Sequence, residues 1–293
     1  MSRAIAVAVL AAGVVAGRAQ ADQVDERRPA TSDGLVEIEN PAGSVRVIGW
    51  SKGEVAATGT VGRLAKLTLS GPPHRIHVEV EVQGNPHATH SDIEVHVPAG
   101  SRVSVESFAS AITVSDVTGP VTAETVNGAV SVSGSLKEVS AESVNGAVDV
   151  SGASARVHAG TVNGALTVRG ARGEVDANTV NGELRVVGGG AFTRAHLESV
   201  SGPIRFEGEL APHADVQAQT VSGEVELTLP ASTAADFTVS TFSGDINTDF
   251  GAAIYRNPGG RHSPQKELTF SIGGGGAKVA IETLSGAISL RKR

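Results

Sequence analysis

The phrase TVNGAVSV begins at Thr125, and close variants begin at Ser143, Thr161 and Thr179, each 18 residues after the last. A phrase returning at a fixed step commits a chain to stacking, because every copy must meet its neighbours in the same way. The glycines Gly128, Gly146, Gly164 and Gly182 keep the step of 18; Gly202, Gly223 and Gly244 follow at 20, 21 and 21. Gly286 lies two further steps of 21 on, and Ser110 holds the same register one step before Gly128. The reading is all-β: a parallel β-helix-like solenoid with coils of about 18–21 residues.

Within a coil, the second and fourth residues after the marker are apolar, as in Val130/Val132, Val148/Val150 and Leu166/Val168, with Ser131, Asp149 and Thr167 between them. Period-two alternation describes a strand with one buried face. A second strand precedes each marker, with Ala123, Ala141, Ala159, Ala177 and Leu197 as its inward row. The two strands disagree in parity. Counting by twos from Ala141 puts Val144 outside, and counting back from Val148 puts it inside. The chain must slip by one residue around Ser143-Val144-Asn145-Gly146, and an Asn-Gly corner suits that slip because both residues tolerate positive φ. Stacking places Asn127, Asn145, Asn163 and Asn181 in one line as a structural amide ladder. Ten register positions at about 4.8 Å predict a rod on the order of 45 Å long.

The other parts of the chain fit around this array. Residues 1–21 read as a secretory signal peptide: Arg3, the apolar run from Ala4 to Ala16, and Ala19-Gln20-Ala21 as a cleavage site. Residues 22–34 read as a flexible leader and 35–106 as an irregular β region capping or beginning the solenoid. Residues 107–293 are the repetitive solenoid, with an inserted loop at 251–266. Arg291, Lys292 and Arg293 would blunt the last exposed strand edge with charge.

Without its leader the chain has 22 basic and 31 acidic residues, a balance that argues against nucleic acid or anionic lipid as partner. It has no cysteine, so no disulfide holds an exported fold. No stretch after the leader reaches membrane-spanning length. Nucleophile elbows, zinc-protease helices and phosphate loops are absent, and the outward rows show no focused carboxylate cluster. The chain therefore reads as non-catalytic, with no cofactor. A candidate metal set remains. The stretches 74–82 and 92–98 alternate cleanly, as a hairpin or as longer strands wrapping onto the solenoid end. As an antiparallel hairpin they would set His77 against His96 and Glu79 against Glu94, a donor set for zinc or copper.

The opening LVEIENPAGSVRVIGW, the middle DIEVHVPAGSRVSVESFASAITV, the repeated T-V-N/S-G-x-V-x-V and the ending ETLSGAISL resemble a large bacterial domain-of-unknown-function family. That family is usually labelled "putative adhesin" and is similar to autotransporter-adhesin head domains. The resemblance covers roughly residues 35–290. It implies an exported or envelope-associated solenoid and carries no catalytic residues. The expected function is an adhesin-like interaction or structural module of the cell envelope that binds a protein or a glycan. The alternatives are a periplasmic envelope-stress accessory protein acting through a protein partner, or a metal-binding exported protein.

Overall fold

The computed structural model describes residues 22–84, 90–251, 254–256 and 265–293. The leader at 1–21 and most of the loop at 251–266 lie outside these residues. The described chain is a parallel β-solenoid built from two strand segments per coil. One coil is β10 (Glu138–Asn145) and β11 (Val148–Ser151). β10 stacks in parallel between β8 (Val121–Asn127) and β12 (Arg156–Asn163), and β11 between β9 (Val130–Ser133) and the start of β13 (Leu166–Asn181).

The inward rows form the core. Ala123, Ala141, Ala159 and Leu197 are wholly buried on the long strands, and Val130, Val148 and Val150 are about as deep on the short ones. Each buried valine contributes roughly 1.5–3 kcal/mol, but only when the next coil covers it. From β14 (Leu184–Ser201) and β15 (Ile204–Ser222) onward, register shifts at the second corner absorb the extra residues of the longer steps. The widened interior there is filled by Phe192 and Phe206, whose rings lie 5.2 Å apart.

The corner resolves the parity conflict. Ser143 turns inward, Val144 outward, and Val148 inward again. Asn145 takes no positive φ, contrary to the reading of the Asn-Gly pair, so the glycine is needed for a different reason. A Cβ on Gly146 would sit 2.0 Å from the Gly128 carbonyl oxygen, and one on Gly164 2.1 Å from that of Gly146. The backbones approach too closely at these glycines for a side chain. Beside it, the Asn145, Asn163 and Asn181 amides each donate to the asparagine below at 2.9–3.0 Å, which completes the ladder from Asn127.

Both ends depart from sequence order. β2 (Leu35–Trp50) lies between β7 (Arg102–Ser115) on one side and the pair β5 (Arg75–Val82) and β6 (Ser91–Pro98) on the other, parallel to all three. β5 and β6 therefore form no hairpin: each takes half of the longer β2 as its partner. Their outer sides are covered antiparallel by β4 (Ala65–Ser70) and β3 (Glu54–Val61). The expected flexible leader is instead largely a strand, β1 (Asp22–Pro29), paired with β3 along its whole length.

At the other end β21 (Ala277–Ser285) and β22 (Ile288–Lys292) insert between the 215–229 coil and the coil of β17 (Ala235–Ser243) and β18 (Ile246–Thr248). Gly286 thus stacks between Gly223 and Gly244, not beyond Gly244. The basic residues 291–293 consequently do not guard an edge. Arg291 pairs with Glu226, and Arg293 with Glu207 and Glu209. Beyond β17 at that end lies β20 (Lys266–Ile272), antiparallel to it, and β19 (Ile254–Arg256) pairs antiparallel with the far side of β20.

Candidate functional site

One outward face of the long strands carries two columns that run along the solenoid axis. The first is apolar and lies just before the corner. It starts at Phe108 and passes through Val126, Val144, Val162 and Val180. It continues through Val200, Val221 and Leu284 and ends at Phe242, and from Val126 on the residues on either side of each are paired in register. Seven of these nine are exposed, from 37% at Val162 to 55% at Leu284. Val126 and Val180 are half-buried.

The second column lies two residues before Phe108, Val126 and Val144 and continues past the start of the apolar column onto β2 and β5. Glu79 pairs in register with Glu39, Glu39 with Glu106, Glu106 with Glu124, and Glu124 with Glu142. Five glutamates are therefore stacked at successive strand spacings of about 4.8 Å. Like charges directly opposite on a sheet repel. Partial burial, followed by the charges of Glu142 and Glu106, holds the Glu124 carboxyl above its usual range. The ends of the stack have imidazole neighbours: His77 Nε2 is 3.4 Å from Glu79 and 3.8 Å from Glu39, and His158 Nε2 is 3.2 Å from Glu142. Among the described residues no basic side chain lies within ion-pair distance of Glu106 or Glu124.

Between the columns runs a valley whose floor is the buried Ser/Thr row. Ser143 donates to the Gly128 carbonyl at 2.9 Å and Thr161 to that of Gly146 at 2.8 Å. Farther along, the buried hydroxyls of Thr179, Ser199, Thr220 and Thr283 have no hydrogen-bond partner among the described residues. The valley encloses about 360 Å³ beside Glu106, Glu124 and Glu142, and about 730 Å³ toward Leu284 and Phe242; the two stretches meet at Asn178 and Val180.

The metal candidates fall differently from the hairpin expectation. His77 and Glu79 stay together on β5, and their third neighbour is Glu39 of β2, with ligand atoms of all three within 4.8 Å of one another. One imidazole and two carboxylates are a donor set that suits zinc. His96 and Glu94 lie on β6, around the corner, where His96 packs 4.9 Å from the Trp50 ring and 3.7 Å from Glu94. The reading from sequence missed Glu39 because β2 enters the stack out of order. The same displacement hid the join of Glu79 and Glu39 to the glutamate column, whereas Glu106, Glu124 and Glu142, each one 18-residue step apart, were legible in the repeat and were overlooked.

Among the described residues no helix is long and apolar enough to cross a membrane. No curated protein is detectably similar to the chain. Several solved structures are similar to it at low identity. A "putative adhesin" of Bacteroides fragilis aligns at 8% identity over 93% of this chain and 98% of its own, with a TM-score of 0.46. A "putative adhesin" of Parabacteroides distasonis aligns at 8% identity over 94% and 98%, with a TM-score of 0.42. A "putative lipid binding protein" of Parabacteroides distasonis aligns at 13% identity over 92% and 96%, with a TM-score of 0.40. The model of the Toastrack DUF4097 family matches residues 86–291, most of the solenoid, and the chain belongs to that family.

Proposed function

We propose that the chain is an exported, non-catalytic binding module of the cell envelope that works through its apolar column and the adjoining valley. The observation that carries this reading is the continuity of the column. Single exposed apolar residues are ordinary on a protein surface, whereas a contiguous row rimmed by polar groups marks a place of association. The signal-like leader supports export. The resemblance of the sequence to a family usually labelled "putative adhesin" agrees with a binding role.

Closely spaced carboxylates are also the equipment of retaining glycosidases, and Glu124 with its raised carboxyl invites that comparison. The wall opposite the stack favours binding instead. It offers Val126, Val144 and Val162, aliphatic side chains on which a sugar ring does not stack, with Phe108 as the one ring at this end of the column among the described residues.

The test is site-specific photo-cross-linking in intact cells. A photoreactive residue at Val144 or Val200 should trap an envelope neighbour, while one at Ser131 or Thr167, outward on the short strand, should not. Equal trapping at all four positions, or none at any, removes the module reading, and so does turnover of an envelope glycan by the purified chain. Protease shaving then separates adhesion from a periplasmic accessory role. Loss of the protein while a periplasmic marker survives places it at the surface; protection of both places it inside.

A further inference from the structure

Resting on that reading of the face, we infer that the glutamate-walled half of the valley receives an extended segment of a partner protein, with basic side chains along one edge and aliphatic side chains along the other. Four features of the site select this occupant.

Charge is the first. Five stacked glutamates make a wall that repels itself, and the His neighbours at its ends leave the centre, Glu106 and Glu124, without a cationic partner among the described residues. A cationic edge supplies what the wall lacks, and its attraction is strongest where the carboxylates are partly withdrawn from water.

Width is the second. On β7, β8 and β10 the glutamate and apolar columns are two residues apart along the strand, about 7 Å at a strand's rise, whereas Pro41 and Glu81 stand two residues beyond Glu39 and Glu79. A helix is about 10 Å or more across and would ride on top of the two columns. An extended chain fits between them and sends alternate side chains to opposite sides, so one edge meets glutamates and the other meets valines.

Length is the third. From Glu79 to Glu142 the stack spans four strand spacings, about 19 Å, which an extended segment of about six residues covers with about three basic side chains; the apolar column flanks the half from Glu106 to Glu142, where the aliphatic edge is met.

Exclusion of the competitors is the fourth. A second copy of this chain would bring its own glutamates, together with Glu198 and Glu282, against the stack. An isolated metal ion does not explain the valine wall. Among the described residues the ligand-distance cluster is confined to Glu39, His77 and Glu79 at one end.

The experiment uses the purified mature chain and three synthetic ten-residue peptides: alternating Lys-Val, alternating Glu-Val and alternating Lys-Ser, each followed by fluorescence anisotropy. The Lys-Val peptide should bind, the Glu-Val peptide should not, and Lys-Ser should bind more weakly. Raising salt from about 50 mM to about 300 mM should weaken Lys-Val binding several-fold, since the pairs are partly screened. The double variant Glu106→Gln with Glu124→Gln should lose about tenfold or more in affinity, equivalent to about 1.4 kcal/mol. Val144→Ser with Val162→Ser should weaken it as well, with melting temperature and circular dichroism showing both variants folded.

Comparable binding of the Glu-Val peptide, or unchanged affinity in the glutamine variant, overturns the proposal. Calcium or zinc binding to the stack with no peptide binding overturns it too and makes the column an ion site. If no peptide binds while Val144 still cross-links in cells, this inference falls and the module reading stands. If the cross-links vanish as well, both fall.

Discussion

Gly286 stacks directly on Gly223, so close that a Cβ on Gly286 would lie 1.9 Å from the Gly223 carbonyl oxygen. The repeat spends a glycine at each corner from Gly128 onward because adjacent corners meet backbone to backbone. Gly286→Ala should cost about 3 kcal/mol or more, at the upper end of single-substitution effects. Gly53 is the control: its Cβ would meet nothing nearer than the Ala30 carbonyl oxygen at 3.5 Å. Gly53→Ala should stay within about 0.5 kcal/mol of the parent in urea unfolding. Equal losses would mean that the close approach is not what fixes the residue.

Glu124 should act against the fold at neutral pH. Its carboxyl is held above the ordinary 4.5 by partial burial and then by Glu142 and Glu106, so the folded chain holds this proton more tightly than the unfolded one. Stability should therefore rise as pH falls through the raised folded value toward 4.5. Glu37, held low by its bond to Arg75, works in the opposite sense and loses its contribution only at lower pH. Glu124→Gln should raise the melting temperature by about 2 °C near neutral pH, and the gain should shrink toward about pH 5. A gain that is constant with pH, or a lower melting temperature, would contradict the stacked-charge account.

Val148 and Asp149 are adjacent but opposite in role. Val148 is 1% exposed in the aliphatic row, and Asp149 pairs with Arg169 in solvent at 2.5 Å. Val148→Asp should cost at least about 3 kcal/mol, because a carboxylate would be stranded among stacked valines. Asp149→Ala should cost about 1 kcal/mol or less, the usual worth of an exposed ion pair. Chemical denaturation of the two variants distinguishes them.

Removing residues 277–293 should be far worse than removing 22–29. The first segment is an internal layer with neighbours on both sides; the second covers the outer edge of β3 alone. The longer deletion should leave Val225, Leu227 and Val239 without their covering coil and give an aggregating product on size-exclusion chromatography. The shorter one should remain monodisperse with a modestly lower melting temperature. Soluble, cooperative unfolding after the longer deletion would contradict the layer order.

The stacking, the inward rows and the coil length are legible in the sequence because the apolar residues of one coil recur at the same positions in the next. The order of layers is not legible. Gly43-Ser44-Val45-Arg46-Val47 carries the same alternation as any coil, so it fits beside Ser110 as well as it fits at an end. The choice is made by connection lengths and by the antiparallel strands β3 and β4. His77 shows the same limit. Local alternation on 74–82 and 92–98 is compatible with a hairpin, and only the presence of β2 as a longer partner for both strands decides against it. Val144 could not be placed by counting, because the two strands vote oppositely. The corner decides it, and with it the whole exposed column.

The displaced layers also impose a schedule. The 215–229 coil and the β17–β18 coil never touch through their ladders; each waits for residues 277–292, which leave the ribosome after both. Pairing across so long a separation is slow to close and late to be rewarded. The middle coils can zip as they emerge, whereas that end holds two unsatisfied strand edges until residues 277–292 slide between them. Completion of the rod is thereby tied to completion of this segment, a built-in delay that would keep the chain threadable if it is exported as proposed above.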